Sequence, residues 1–333
     1  MNRDVKVGVV GAGYWGRNLV RVHRELGTLA AVCDSDAEIR DSHAQAGGAV
    51  RITDRFEDLL EDPALDGVVI ATPAATHGAL VRAALEAGKH VFVEKPICLD
   101  VAEAESLAGQ ADAAGRVLMV GHLLLYHPAF QALQALVAQG RLGPLRYLYS
   151  NRLNLGKIRR EENALWSFAP HDISMILSLA GRLPRRISCQ GGNYLNAEVA
   201  DTTLSHFDFG DGLQAHVHVS WLHPYKEQRL VVIGEEAMVV FDDTRKGAEK
   251  LLLYPHAVGW TGDVPLVDKA EAEPVPYDTA EPLKNECATF VAACAGEAVP
   301  PSDAREAIRV LTVLDRCQQA MDGGEPISLA AAS

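Results

Sequence analysis

Gly11-Ala12-Gly13-Tyr14-Trp15-Gly16 follows a short apolar run, Lys6–Val10, and opens a helical pattern, Tyr14–Leu26. G-x-G-x-x-G at a strand-to-helix turn is suited to a pyrophosphate. The first glycine permits the tight turn, the second lets backbone approach the phosphates, and the third lets the helix pack closely on the strand. The helix start adds free N–H groups for the anion. A dinucleotide site of this kind needs a carboxylate about 20 residues later, at the end of the second strand. Asp34 stands there, directly after Ala30-Ala31-Val32-Cys33. Its carboxylate would accept hydrogen bonds from the adenosine ribose and repel a 2′-phosphate, which points to NAD over NADP. Asp34→Ser or Asp34→Gly is then expected to relax that selectivity. Tyr14 and Trp15, inside the turn, either flank the cofactor or pack the helix start.

A second chemical signal is positive charge. Arg152, Lys157, Arg159 and Arg160 crowd the stretch Asn151–Asn163 of an acidic chain, with Asn163 at its end. Such a stretch is either a solvated loop or a grip on an anionic part of a substrate, such as a diphosphate or a carboxylate, for which forked arginine contacts are apt. His122, with Tyr126, comes just after the last strand of the first half, where substrate contacts are plausible in such folds. His216 and His218 share one face of a strand, but no third ligand has suitable spacing, so they read as a packed or interfacial sheet face and no metal site is expected.

The elements that position these groups fall into two halves. Leu29–Cys33, Gly67–Ala71, Lys89–Val93 and Val117–Gly121 are strand-like, and Thr76–Glu86 and Val101–Ala114 are helical between them. Alternation of this kind implies a doubly wound parallel sheet. After about Ala138, Arg146–Arg152, Arg186–Gln190, Thr202–Phe209, Leu213–Trp221, Gln228–Gly234 and Met238–Asp242 follow one another as strands, with a hairpin turn at Phe209–Leu213. The expected architecture is a Rossmann domain over 1–122, then an α+β domain with a large, mainly antiparallel sheet over 123–333. A long last helix, Ser302–Met321 capped by Ser302, is a candidate to pack back on the first domain.

Composition narrows the function classes. The chain has 333 residues, 48 % hydrophobic and 23 % charged, which is ordinary for a globular protein of two domains. A net charge of −13 argues against a nucleic-acid partner. Six scattered cysteines without a C-x-x-C pair suggest a reducing compartment. The N-terminus has no signal-peptide pattern and no run reaches membrane-spanning length, so a cytoplasmic location is expected.

Two further segments carry a family resemblance. Ala71-Thr72-Pro73 with His77 follows one strand, and Glu94-Lys95-Pro96 follows the next. With the glycine-rich turn and the strand-rich second half, they make the chain similar to the glucose–fructose oxidoreductase / inositol dehydrogenase (Gfo/Idh/MocA) family over nearly its whole length. The resemblance implies that Thr72, Pro73, His77, Glu94, Lys95 and Pro96 belong to the NAD site and that Lys95 contacts the reacting hydroxyl. An ammonium placed there would stabilise the alkoxide that develops as hydride leaves. Pro96 restricts the backbone of Lys95. His171, in Trp166-Ser167-Phe168-Ala169-Pro170-His171-Asp172-Ile173, matches the family's catalytic histidine, and a neutral imidazole suits proton removal from an alcohol. The family's aspartate four residues before it is replaced here by Ser167, so His171 acts alone or with partial help from Asp172.

Asn154–Ile173 and Ser220–Lys226 resemble the branch that oxidises UDP-N-acetylglucosamine, or the corresponding glucuronic acid, at C3 ahead of transamination in 3-amino-sugar synthesis for lipid A or O-antigen. The implied partner is a small nucleotide-sugar substrate. Separately, the broad sheet of the second domain leaves a face to cover, so a homodimer or homotetramer is expected. Inositol or free-sugar oxidation is the alternative if the basic stretch is only a solvated loop. A non-catalytic NAD(H)-binding sensor is the third reading, which Ser167 keeps open.

Overall fold

The computed structural model describes residues 4–45, 49–156, 158–160, 162–195 and 197–329. The chain forms two units, Met1–Tyr126 with Ala280–Leu311, and His127–Thr279 with Thr312–Ser333.

The first unit alternates strand and helix: β1 (Val7–Val10), α1 (Gly16–Glu25), β2 (Leu29–Cys33), α2 (Ala37–Gln45), β3 (Arg51–Thr53), α3 (Glu57–Leu60), β4 (Gly67–Ile70), α4 (His77–Glu86), β5 (His90–Glu94), α5 (Val101–Ala114) and β6 (Leu118–Gly121). The six strands are parallel, in the order β3-β2-β1-β4-β5-β6. Every residue of β1 and β4 is buried, as strands covered on both faces require. The chain runs outward from β1 to β3 and then returns to β4 on the other side. The carboxyl ends of β1 and β4 therefore flank a crevice at the point where strand order reverses, the usual ligand position in such sheets. β3 has too few residues for sequence periodicity to reveal it.

A buried histidine gives this unit a pH dependence. His23, in α1, is fully buried. Thr28 Oγ1 donates to the His23 carbonyl at 3.3 Å and so accepts from the ring Nδ1–H at 3.0 Å. Nε2 has no partner among the described residues, so a second ring proton would be buried without an acceptor. Burial lowers the His23 pKa to about 4. The unfolded chain takes up this proton near pH 6.5, whereas the folded protein resists it down to about 4. The stabilisation is thus complete above pH 6.5 and is lost as pH falls toward 4. Urea unfolding at pH 7 and pH 4.5 is expected to show His23→Phe losing about 2–3 kcal/mol less than the parent protein over that interval. Parallel losses in the two proteins would exclude His23 as the source.

The first unit takes in more than the residues before the boundary expected at 122. Leu124, Leu125 and Tyr126 are buried, and the Tyr126 hydroxyl lies 2.8 Å from Ser302 Oγ. α6 (Pro128–Ala138) opens the second unit, and the chain re-enters the first at α8 (Pro282–Cys294). There Asn285 Nδ2 donates to the Tyr126 carbonyl, and Phe290 meets Phe92 edge-on at 5.8 Å. α9 (Ala304–Gly323) belongs to the first unit as far as Leu311 and to the second from Thr312. Its cap is Asp303, whose Oδ1 accepts from Glu306 N–H at 2.8 Å. Ser302, the expected cap, is fully buried and engaged with Tyr126.

The second unit is built on a ten-stranded sheet. Its strands are β7 (Leu145–Leu153), β8 (Arg186–Gly192), β9 (Thr202–Asp208), β10 (Gln214–Ser220), β11 (Glu227–Gly234), β12 (Ala237–Asp242), β13 (Leu251–Thr261), β14 (Val264–Lys269), β15 (Glu273–Pro274) and β16 (Ile327–Ser328). The order is β14-β13-β12-β11-β7-β10-β9-β8-β16, with β15 paired to β13. Pairing is antiparallel except between β7 and β10. The β13–β14 hairpin was not anticipated, because Pro255 and Gly259 interrupt its strand pattern. α7 (Ala164–Ala180) packs on β10 and β7. Among the described residues no helix is long and apolar enough to cross a membrane.

Candidate active site

At the end of β1, Gly11 has φ +80°, and a Cβ there would meet the Ala71 carbonyl oxygen at 2.8 Å. A Cβ on Gly16 would lie 1.8 Å from the Gly11 carbonyl oxygen, so only glycine lets α1 start this close to the strand. At Gly13 the nearest obstacle is Ile39 Cδ1 at 3.7 Å, which leaves the backbone approachable. These three glycines make the roles read from their spacing concrete. A dinucleotide also needs a cleft beside them. One of about 420 Å³ is lined by Gly11, Gly13, Asp34, Thr72 and Pro73, among others, so the residues fit the group.

Asp34 is held rigidly. Its Oδ2 accepts from Ala12 N–H at 2.7 Å, and its Oδ1 from Asp36 N–H at 2.9 Å. Its negative charge is therefore fixed beside the glycine-rich turn. Tyr14 is strongly exposed, with the Arg17 guanidinium over its ring at 5.2 Å. Trp15 joins two motifs: its Nε1–H donates to Glu94 Oε1 at 2.5 Å. Burial raises the Glu94 pKa, against the lowering effects of the Trp15 hydrogen bond and the Lys95 charge.

His77 links the Thr72-Pro73 and Lys95-Pro96 segments. Its Nε2 is 2.8 Å from the Thr72 carbonyl oxygen and its Nδ1 is 2.7 Å from that of Pro96. The ring is 1 % exposed, so the expected cofactor contact is corrected to a brace between two loops that border the site. Burial lowers its pKa despite the two carbonyls. The Lys95–Pro96 peptide bond is cis. Lys95 itself follows Glu94, the last residue of β5, at the ligand-carrying end of the sheet.

His122 was expected at the substrate. The structure buries it at 2 % exposure, with Nδ1 at 2.5 Å from Glu306 Oε2. It is part of the interior, because Glu306 of α9 meets the ring just past the edge strand β6. Another interior acid was not foreseen. Glu286, in α8, is fully buried, and neither carboxyl oxygen has a hydrogen-bond partner among the described residues. Burial, with Glu94 nearby, keeps its pKa well above the usual carboxylate range.

In the second unit the basic stretch is divided among several tasks. Arg152 is buried in β7. Its Nε donates to Asp172 Oδ2 at 2.6 Å and its Nη2 to Asp172 Oδ1 at 3.2 Å, while Ser150 Oγ donates to Oδ1 at 2.5 Å. Arg152 is thus an internal ion-pair partner and not a substrate cation, because a buried guanidinium must be matched by charge. The same bonds occupy Asp172, which removes it as a helper of His171. Asn163 caps α7 by accepting from Trp166 N–H at 3.1 Å and donates to Gln318 Oε1 at 2.8 Å, so its expected substrate contact is also replaced by a structural one. Arg159 pairs with Glu162 at 2.7 Å. Arg160 is exposed. Lys157 lies outside the described residues.

His171 is half-buried and sits well inside α7, one residue after Pro170. Ser167, one turn earlier on the same face, is buried. His216 stacks on Tyr149 and is hydrogen-bonded to the Tyr147 hydroxyl, which makes it part of an aromatic sheet face. Sequence reasoning missed Ser35, Asp54 and Phe56, which line the same cleft as Asp34. Asp54 directly follows β3, a strand too short to be read from the sequence, so no local signal marked it.

Comparison with known proteins agrees with this geometry. Residues 5–122 match the model described as the oxidoreductase family, NAD-binding Rossmann fold, and residues 130–240 match the GFO/IDH/MocA C-terminal domain. UDP-N-acetylglucosamine 3-dehydrogenase of Acidithiobacillus ferrooxidans is 29 % identical over 264 residues, covering 79 % of this chain and 81 % of that one. A crystal structure of that dehydrogenase aligns with a TM-score of 0.83 at 27 % identity, over 96 % of this chain and 97 % of the other. A structure from Magnetospirillum magnetotacticum MS-1 is 31 % identical with a TM-score of 0.81, over 94 % of this chain and 99 % of that one. The NAD(+)-dependent scyllo-inositol 2-dehydrogenase of Bacillus subtilis (strain 168) is 27 % identical over 263 residues, 74 % of this chain and 76 % of that one. With the glycine-rich turn, the Asp34 anchor and both halves matched, the chain belongs to the Gfo/Idh/MocA family of oxidoreductases.

Proposed function

We propose that the protein oxidises the C3 hydroxyl of a nucleotide sugar, UDP-N-acetylglucosamine, with NAD as acceptor. The observation that supports this most is the likeness along nearly the whole chain to the Acidithiobacillus ferrooxidans UDP-N-acetylglucosamine 3-dehydrogenase. Bound in the cleft, the dinucleotide supplies the hydride acceptor. The chain's own residues do the rest. Gly11 and Gly13 present backbone to the pyrophosphate, and Asp34 receives the adenosine ribose. Lys95 holds the reacting oxygen and stabilises charge that develops on it, while His171 takes the hydroxyl proton. Arg159 and Arg160 remain as candidates for the diphosphate, together with Lys157. Assembly into a homodimer or homotetramer and a cytoplasmic location belong to this reading.

A polyol or free sugar is the second reading. It is favoured by the similarity to the scyllo-inositol 2-dehydrogenase and by the engagement of Arg152 and Asn163 in internal contacts. NADH formation at 340 nm with UDP-N-acetylglucosamine, its glucuronic acid counterpart and myo-inositol separates the two. A ketone trap is needed to draw the uphill oxidation forward. Turnover of a UDP-sugar and silence with inositol is the expected result. Turnover of inositol alone would overturn the nucleotide-sugar reading.

A further inference from the structure

Asp34 is not the only carboxylate at the adenosine end of the cleft. Asp54, just past β3, lines the same space, with Ser35 and Phe56. The neighbourhood is strongly acidic. The thiol of Cys33, at the end of β2, is pushed up to about 11, first by burial and then by the carboxylates of Asp34, Asp54, Asp58 and Glu57.

Within this acidic rim an arginine also reaches the end of β2, of the type that usually receives a 2′-phosphate. Arg40, in α2, donates through Nη1 to the carbonyl oxygens of Asp34 and Ser35, both at 2.9 Å. Its Nη2 is 4.0 Å from Asp54 Oδ2. The guanidinium thus borders the loop where a ribose substituent would lie, but it is tied to backbone and faced by a carboxylate. Asp54 is well exposed, so its ion pair with Arg40 adds little to folding. Its effect on a ligand is larger, because a phosphate carries nearly two negative charges at neutral pH.

We propose that Asp54 is a second cofactor-specificity residue. Together with Asp34 it excludes a 2′-phosphate, and it cancels the charge of Arg40, which would otherwise attract one. This rests on reading the cleft as the adenosine-ribose subsite. It follows that Asp34→Ser alone leaves the contribution of Asp54 in place, and that the pair of changes converts Arg40 into a phosphate ligand.

Fluorescence titration with NADH and NADPH tests this on the full chain, comparing the parent protein, Asp34→Ser, Asp34→Ser/Asp54→Asn, and that double variant with Arg40→Gln. The ratio of NADPH Kd to NADH Kd is expected to fall in the single variant and about tenfold further in the double. Arg40→Gln is expected to reverse the second step alone, with NADH binding retained. Equal ratios in the single and double variants would overturn the proposal, as would a gain that survives Arg40→Gln. Failure of the parent protein to bind NADH would instead overturn the reading of the cleft, and this proposal with it.

Discussion

Lys95→Met is expected to lower kcat about a hundredfold to a thousandfold while NADH affinity stays within a few-fold of the parent value. Lys95 follows β5 directly, at the end of the sheet where ligands bind. A positive charge aimed at a developing alkoxide acts mainly in the transition state, and loss of one such donor typically costs about 2.7–4 kcal/mol. Methionine keeps much of the side chain's length and removes only the charge. His171→Asn is the companion. As general base His171 is expected to contribute about 10²–10⁴ to turnover, with no comparable change in NADH binding. If KM rises with kcat intact in either variant, that residue binds substrate and takes no part in the chemistry. The measurements are single-turnover rates for the accepted substrate, with NADH titration as the folding control.

Arg152→Met is expected to destabilise the protein by about 3–5 kcal/mol, read as a lower urea midpoint, because it leaves the Asp172 carboxylate buried without its cation. The side chains of Arg152 and Asp172 are only 8 % and 1 % exposed, so solvent offers little compensation. Replacing both, as Arg152→Met/Asp172→Leu, is expected to restore much of the loss, since a buried ion pair and a packed apolar pair are often close in free energy. A substrate-binding arginine would behave in the opposite way. Its removal would raise KM and leave the urea midpoint unchanged. The pair also bears on His171, because Asp172 is its neighbour in α7 and is bonded to β7 through Arg152 and Ser150.

The two predictions treat two residues that the sequence reading placed at the site. Lys95 was assigned by the family resemblance of a short motif: a strand end, an acid, a base and a proline. Arg152 was assigned by composition, as one of several cations in a polar stretch. The better signal was the period of two in β7. Leu148, Ser150 and Arg152 are buried while Tyr147, Tyr149 and Asn151 are half-buried, so Arg152 belongs to the inward face. An inward arginine calls for an acid, and Asp172 supplies it from α7.

Local spacing was enough for the alternation of strand and helix in the first half, the pyrophosphate turn, the acidic residue after β2 and the succession of strands in the second half. All of these depend on residues close together in the chain, where spacing maps directly onto a turn, a helix face or a strand. Which polar groups are buried, and against what, depends on the folded chain as a whole. Folding paired His122 with Glu306, set His77 between two loops, placed Asp54 beside Asp34 and Arg40, and returned residues 280–311 to the first unit. Each of these joins segments far apart in sequence or separated by a whole element. Their partners are set by desolvation and packing in the folded chain, to which local spacing carries no clue.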